Sequence, residues 1–467
     1  MRILQVVHAF FPECTGGTET QTLLLGRALQ DRGHTVAVFY RVFAPDLPEY
    51  VVIPGEYADL RTFKIVNNFT SRPPAPFAYH DTGVEARFLQ VLDTFQPEAV
   101  HVQHLGDLST SLVSAAQRWG IPVVLTLHDF WHMCFRSHLV NASGQLCPGP
   151  DGGLRCHECL QSQQREASSF SSVRTRTAEL GFRNSVWQLP HFARTWLESI
   201  LVRRNRALTA DLAALSSRDE HMRRVVASAD LVLSPSRFLR DQFTGWGIST
   251  DHVLYFPNGI APGLAPQSVN GDIPTVQRFG YLGGIHPYKG LTVLVEAFNG
   301  LVDADVTLEI WGAAATPASR ALTEELRQKC RNPRVRFAGS FPPSQLAHVL
   351  AGIDMLILPS TIYENSPMSI LEAFSARIPV IASDIGGMAE LVQHDVNGLQ
   401  FRAGDPDDLA ATIRFAVKHP ERVHSYRGSI IPPPTADQVG AAAEKLYTDL
   451  IRIRAGSSQG KHGLADC

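Results

Sequence analysis

Apolar residues along this chain fall into two rhythms. One is the short, nearly unbroken run that marks a strand buried on both faces, as in a parallel sheet. It occurs at Ile3–Val7, Thr35–Tyr40, Ala99–Val102, Ile121–Leu127 and within Ala229–Ser236. The other is the 3.6-residue rhythm of an amphipathic helix. In Thr18–Gln30 it sets Leu23, Leu24, Leu25, Ala28 and Leu29 on one buried face, and Gly33 follows as a terminator. From Arg278 the alternation restarts, with strands at Arg278–Leu282, Val306–Ile310, Arg334–Ala338, Asp354–Leu358 and Pro379–Ala382, and a helix at Leu291–Asn299. The expected fold class is therefore α/β, two Rossmann-like parallel-sheet domains facing a cleft.

The expected domain plan follows from where that pattern breaks. Residues 1–260 form the first domain, the Pro/Gly-rich stretch 261–274 a hinge, and 275–430 the second domain. A helix over 431–454 is expected to pack back on the first domain, and the small, polar residues 455–467 to form a flexible tail. Two inserts interrupt the first domain. One, 134–160, is irregular and bears Cys134, Cys147, Cys156 and Cys159; the other, 161–225, is helical and basic.

Ligands of open α/β sheets collect in the crevice beyond the carboxyl ends of the strands. The richest stretch at such a place is Tyr363-Glu364-Asn365-Ser366-Pro367-Met368-Ser369-Ile370-Leu371-Glu372-Ala373, after the strand ending at Leu358. Ser366 and Pro367 predict a helix start, with Ser366 as cap and Pro367 as first helical residue. Glu364 in the loop and Glu372 on the helix could hold sugar hydroxyls, while the helix start offers N–H groups to a phosphate. Solvated helix-end acids are the plainer reading of the same pair. Lys289 precedes the helix Leu291–Asn299, where an ammonium can neutralise phosphate. The Gly16-Gly17 pair lets backbone approach a ligand just before the first helix, or simply makes a tight turn. His128 ends a strand and faces the crevice, as a substrate contact or as hydrogen-bonded packing. Neither the dinucleotide fingerprint nor the P-loop order is present, which makes a nicotinamide-cofactor reading of the first glycines weak and excludes a P-loop kinase reading of Lys289-Gly290.

Composition narrows the classes further. A net charge of −3 gives no footprint for nucleic acid, which is not expected as a partner. Seven cysteines in 467 residues do not suggest a disulfide framework. Cys156-His157-Glu158-Cys159 is a C-x2-C pair that, with Cys134 and Cys147, could hold a structural zinc; free thiols are the alternative. Arg165, Arg174, Arg176, Arg183, Arg194, Arg203, Arg204 and Arg206 are interleaved with Phe182, Trp187, Phe192 and Trp196. That surface could rest on anionic headgroups, or be a solvated helical insertion. No apolar run approaches the ~20 residues of a membrane span, and the N-terminus reads as a first strand and not a signal peptide. The expected location is cytoplasmic, with peripheral contact at the inner membrane face.

Taken in order, several pieces carry a resemblance. They are Gly16-Gly17 with Glu19, Gly33-His34-Thr35-Val36, Thr126-Leu127-His128-Asp129, Ser234-Pro235-Ser236, Pro257-Asn258-Gly259-Ile260, Lys289-Gly290, Glu364 to Glu372, Gly386-Gly387 and Asn397-Gly398. Over nearly its whole length the chain resembles the retaining glycosyltransferases of the GT-B fold, family 4 (glycosyl transferases group 1). The resemblance implies a second domain that binds a nucleotide-sugar donor and a first that binds a glycan or lipid-linked acceptor. It assigns Lys289 to the donor pyrophosphate, Glu372 to the ribose hydroxyls, Glu364 to the donor-sugar hydroxyls, and His128 to the donor-sugar side of the cleft. The Gly16-Gly17 backbone would approach the phosphates. Catalytic roles thus fall to Glu364, His128 and Lys289, and donor binding to Gly16, Gly17, Lys289, Glu364, Asn365, Ser366, Pro367, Met368, Ser369 and Glu372. No metal or cofactor is required by this chemistry. Family members commonly pair the lysine with an arginine where this chain has Gly284. Lys289 alone, helix N-termini or an arginine from elsewhere, such as Arg278, would then balance the pyrophosphate. A nucleotide-sugar epimerase or a weakly catalytic nucleotide-sugar-binding protein would use the same fold.

Overall fold

The computed structural model describes residues 1–69, 78–171, 191–264 and 275–462, and the side chains of all of these except 164–208 and 456–462. Among the described residues, β1 (Arg2–Val7), β2 (Thr35–Val42), β3 (Val52–Tyr57), β4 (Leu60–Val66), β5 (Ala99–Val102), β6 (Val123–Thr126), β7 (Leu231–Ser234) and β8 (Val253–Tyr255) form one sheet. Its order is β3-β4-β2-β1-β5-β6-β7-β8. Every pairing in it is parallel except β3 with β4, an antiparallel pair at the edge. Pro54 and Gly55 break the apolar pattern of β3, which is why no strand is legible there and why the strand sits at an edge.

The helices of this half are α1 (Gly17–Asp31), α2 (Thr82–Phe95), α3 (Ser111–Arg118), α4 (Cys156–Ser171), α5 (His191–Ser228) and α6 (Arg237–Gly245). The sheet is covered on both faces. Leu4, Val6, Val100, Phe88 and Leu125 belong to one apolar cluster, and Ile3, Val7, Leu25, Leu29 and Val38 to another.

The second half contains β9 (Arg278–Leu282), β10 (Thr307–Trp311), β11 (Val335–Gly339), β12 (Met355–Leu358), β13 (Val380–Ser383) and β14 (Gly398–Phe401). These form an all-parallel sheet in the order β11-β10-β9-β12-β13-β14. Its helices are α7 (Leu291–Asn299), α8 (Pro317–Lys329), α9 (Leu346–Ala351), α10 (Met368–Ser375), α11 (Gly386–Leu391), α12 (Pro406–Lys418) and α13 (Pro420–Ser429). Then α14 (Ala436–His462) crosses to the first half. There Val439, Ala443 and Tyr447 join the cluster of Ile3 and Leu25, and the Tyr447 hydroxyl lies 2.6 Å from His101 Nδ1.

Both sheets reverse direction of growth beside their first strand. In the first half that point lies between β1 and β5, and in the second between β9 and β12. The loops leaving these four strands are thus where a ligand crevice is built.

Several expectations change. The tail expected from Ala455 instead continues α14 to His462, since extending a formed helix needs no new nucleus; residues 463–467 lie outside the described residues. So do hinge residues 265–274 and insert residues 172–190. The arginines and aromatics of the basic insert, from Arg165 to Arg206, fall where side chains are not described. Cys156 and Cys159 sit three apart on the first turn of α4 and not in an irregular loop. Among the described residues, no helix is long and apolar enough to cross a membrane.

Candidate functional site

Lys289 lies at the end of the loop after β9, and Glu364 in the loop after β12, the two sides of the switch point. They meet as an ion pair, with Lys289 Nζ 2.6 Å from Glu364 Oε1. Ser360 donates to the same oxygen at 2.8 Å. Burial alone would raise the Glu364 pKa; Lys289 outweighs it, helped by the Ser360 bond and by nearby His138, and holds the carboxyl below its usual range. The site therefore presents a fixed carboxylate and an ammonium together.

Backbone holds Glu364 in place. Gly387 N–H donates to the Glu364 carbonyl at 2.6 Å, and a Cβ on Gly387 would lie 1.9 Å from the Asn365 carbonyl oxygen. Only glycine permits that approach. One turn further, Glu372 on α10 forms no hydrogen bond or ion pair among the described residues, and burial pushes its pKa up to about 7. A half-buried carboxyl without a side-chain partner is costly for folding and is characteristic of functional positions.

The start of α10 departs from expectation. Pro367, with φ −64° and ψ 123°, is the N-cap, α10 begins at Met368, and no side chain caps it. Ser366 is not the cap, because the extended Pro367 stands between it and the first turn. The first N–H groups of α10 are left without a side-chain cap.

Several contacts bring the first half onto this region. Asn365 Nδ2 donates to the His128 carbonyl at 2.9 Å, and Gln21 Nε2 reaches the Gly259 carbonyl at 2.7 Å and Met368 Sδ at 2.8 Å. Gly17 faces Met368, whose Cγ would be 3.9 Å from a Cβ at that position. Tyr363 packs against Phe130 and Phe238. The Gly16 position is different: a Cβ there would sit 2.4 Å from Glu19 Oε2, so its missing side chain makes room for a buried glutamate.

That glutamate belongs to a histidine cluster which sequence reading did not assemble. His8 follows β1, His104 follows β5, and His128 and Asp129 follow β6. His8 Nε2 is 3.2 Å from Glu19 Oε1, His104 Nε2 is 3.3 Å from Asp129 Oδ2, and the His8 and His104 rings lie 4.3 Å apart. Burial lowers His8 to about 3, assisted by His104. It lowers His128 to about 4, again with His104 contributing. Burial would lower His104 as well, but Asp129 outweighs it and raises the pKa. One imidazolium is thus fixed on Asp129 while its neighbours stay neutral. His128 Nε2 lies 2.8 Å from Gln103 Oε1. The signal available in the sequence was the recurrence of His at three strand ends.

Two further features frame the second-half loop. A cavity of about 370 Å³ opens at the carboxyl ends of β9, β10 and β11, lined among others by Ile285, Gly312, Ala314, Arg327 and Ser340. Arg278, offered as a phosphate partner, lies at the opposite end of β9, where it pairs with Asp354 at 2.6 Å. It is tied at the amino end of the strand and does not reach the crevice. Cys134, Cys147, Cys156 and Cys159 are free thiols. Among the described residues, no three His, Cys, Asp or Glu side chains are grouped to hold a metal ion.

With this geometry in view, the likeness to known proteins has a physical frame. Residues 15–149 match the model described as Glycosyltransferase Family 4, and residues 276–419 the model described as Glycosyl transferases group 1. An amylovoran biosynthesis glycosyltransferase of Erwinia amylovora is 24% identical over a match covering 44% of this chain and 52% of that protein. The chain spans about half the length of the curated relatives it matches. Among solved structures, sucrose-phosphate synthase of Thermosynechococcus elongatus superposes with a TM-score of 0.65 at 16% identity, covering 97% of this chain and 99% of that one. An Anabaena protein in complex with UDP and glucose gives 0.58 at 17% identity, covering 99% and 100%. At these identities the likeness is one of fold.

Proposed function

This chain belongs to the glycosyl transferases group 1 of the GT-B fold, and from that premise we propose that it moves a sugar from a UDP- or GDP-sugar to an acceptor hydroxyl with retention at the anomeric carbon. The observation that carries the reading is the Lys289–Glu364 pair at the switch point of the second sheet, facing the histidine-lined ends of the first. The donor base enters the cavity beside Ile285, Glu372 accepts from the ribose hydroxyls, and the diphosphate runs past Gly284 to Lys289. The uncapped start of α10 adds N–H groups to the same anion. Glu364 accepts from the donor-sugar hydroxyls, and the His128 carbonyl region borders that sugar.

Cleavage of the bond between the anomeric carbon and the phosphate oxygen builds negative charge on the diphosphate and positive charge on the sugar. Fixed cations and N–H groups aimed at the leaving oxygen stabilise that separation, each worth about 3 kcal/mol. The acceptor oxygen attacks from the face the diphosphate leaves, and its proton passes to the departing phosphate oxygen. Neutral His128 accepts a hydrogen bond from an acceptor hydroxyl without adding charge near the forming cation. Contacts across the cleft exclude water and so limit donor hydrolysis. The relative concerned with amylovoran biosynthesis supports a glycan or lipid-linked acceptor, and the Anabaena neighbour in complex with UDP supports a uridine donor.

Thermal melting with UDP, GDP and their sugar conjugates tests the reading, since a ligand at a hundredfold over its Kd adds about 2.7 kcal/mol to the folded state. One nucleotide series is expected to raise the melting temperature of the wild type and not of Lys289→Ala. No shift with either series would overturn it. A second reading, nucleotide-sugar binding with little turnover, draws on Gly284 and on the occupation of Lys289 by Glu364; the anomeric product, or its absence, separates the two.

A further inference from the structure

A nucleoside diphosphate departs with several negative charges, and one lysine already held by a carboxylate is a poor match for them. Elsewhere in the second half, Arg278 is paired with Asp354, Arg336 with Glu309 and Arg402 with Asp405. A cation beside the Lys289 turn comes from the first half. Arg136, in the irregular segment between β6 and α4, brings Nη2 to 3.5 Å from the hydroxyl of Tyr288, the residue before Lys289. Its Nη1 donates to the Asn141 carbonyl at 3.2 Å. Among the described residues it forms no ion pair; its hydrogen-bond partners are the Tyr288 hydroxyl and the Asn141 carbonyl. Two residues on, the His138 ring lies parallel to His286, 6.4 Å away, and 6.1 Å from the Tyr288 ring. The segment therefore lies over the loop between Gly283 and Gly290, and it delivers a guanidinium without a carboxylate to the phosphate side.

We propose that Arg136 supplies the second cation of the leaving-group site, so that the diphosphate is clamped between Lys289 of one domain and Arg136 of the other. This rests on the donor-binding reading given above. A guanidinium forks onto phosphate oxygens where an ammonium is a point charge. Because the two cations come from opposite domains, the leaving group is balanced only when the domains are together, which ties closure to bond cleavage.

Titrations of UDP and GDP into wild type, Arg136→Gln and Lys289→Ala decide the matter, with UMP and GMP as controls. Arg136→Gln is expected to weaken the diphosphate by roughly 10–100-fold and the monophosphate far less, and to lower donor kcat/KM by about 10²–10³. A Cβ at Gly284 would have no heavy atom within 4 Å, so a side chain can start there, and Gly284→Arg tests whether a second-half cation substitutes. Added to Arg136→Gln, it is expected to restore diphosphate affinity, an outcome that loss of folding could not produce. Normal diphosphate binding by Arg136→Gln, with binding lost in Lys289→Ala, would overturn the role of Arg136 alone. Undiminished binding in both variants would overturn the placement of the diphosphate at Lys289 and this inference with it, whereas no binding of UDP or GDP by the wild type would overturn the donor reading itself.

Discussion

Replacing Glu372 by Gln should make the protein more stable and its nucleotide site weaker. The half-buried carboxyl has no side-chain hydrogen bond or ion pair among the described residues, and desolvation moves its pKa from 4.5 to about 7. A tenfold change in a protonation equilibrium is worth about 1.4 kcal/mol, so this rise is worth about 3 kcal/mol. Its sign is destabilising. Below pH 4.5 both folded and unfolded chains carry the proton and nothing is lost; between 4.5 and 7 only the folded chain does, so stability falls as pH rises. Above pH 7 the full cost is present. Glu372→Gln removes it. At pH 8 the variant should melt several degrees higher than wild type, at roughly 2–4 °C per kcal/mol for a domain of this size. At pH 4 the two should coincide. The same variant replaces the carboxylate by an amide that keeps one acceptor oxygen but not the charge, so nucleotide binding should weaken by about tenfold, the value of the charge assistance to one hydrogen bond. Melting curves from pH 4 to 8, with and without nucleotide, read both effects. A variant less stable than wild type at pH 8 would show that Glu372 has a structural partner and refute the reasoning.

Two other substitutions probe the surroundings. Gly387→Ala places a methyl 1.9 Å from the Asn365 carbonyl oxygen, so the backbone carrying Glu364 must shift; donor turnover should fall by ~10²-fold through misplacement of the reacting groups, read by steady-state kinetics, while Gly284→Ala should change little. Asp129→Asn removes what keeps His104 charged, leaving burial to lower its pKa as it lowers His8. In the wild type, the stability contributed by His104 is present below pH 6.5 and lost as pH rises through its raised folded pKa. The variant should lack that loss, and an NMR titration of the His104 ring should show it neutral at pH 7.

Much of the fold is legible because parallel strands buried on both faces are nearly pure apolar runs. Arg278–Leu282 and Leu291–Asn299 coincide with β9 and α7. The edge strand β3 is not legible, since Pro54 and Gly55 interrupt its pattern; its partner β4 mixes Arg61, Thr62 and Lys64 among its apolar residues and lacks the unbroken run of the other strands. The site divides in the same way. Glu364 and Glu372 are readable from one loop and one helix, whose spacing is local. Their environments are not: the Lys289 pairing and the burial of Glu372 depend on loops from different strands. Ser366 was misassigned as a cap because the extended Pro367 backbone cannot be read from composition. Arg136 and His138 lie in a segment without periodicity, more than a hundred residues from the loop they cover, and only the folded chain brings them there.

The central claim is that Glu364, paired with Lys289, holds the transferred sugar of a nucleotide-sugar donor. It is tested most directly by nucleoside diphosphate release from UDP- and GDP-sugars with wild type and Glu364→Gln in parallel. The wild type is expected to release nucleotide from one donor. Glu364→Gln, which keeps the side-chain shape but not the charge, should still bind that donor and release it about 10²–10³-fold more slowly. Equal release by the two proteins would contradict the claim.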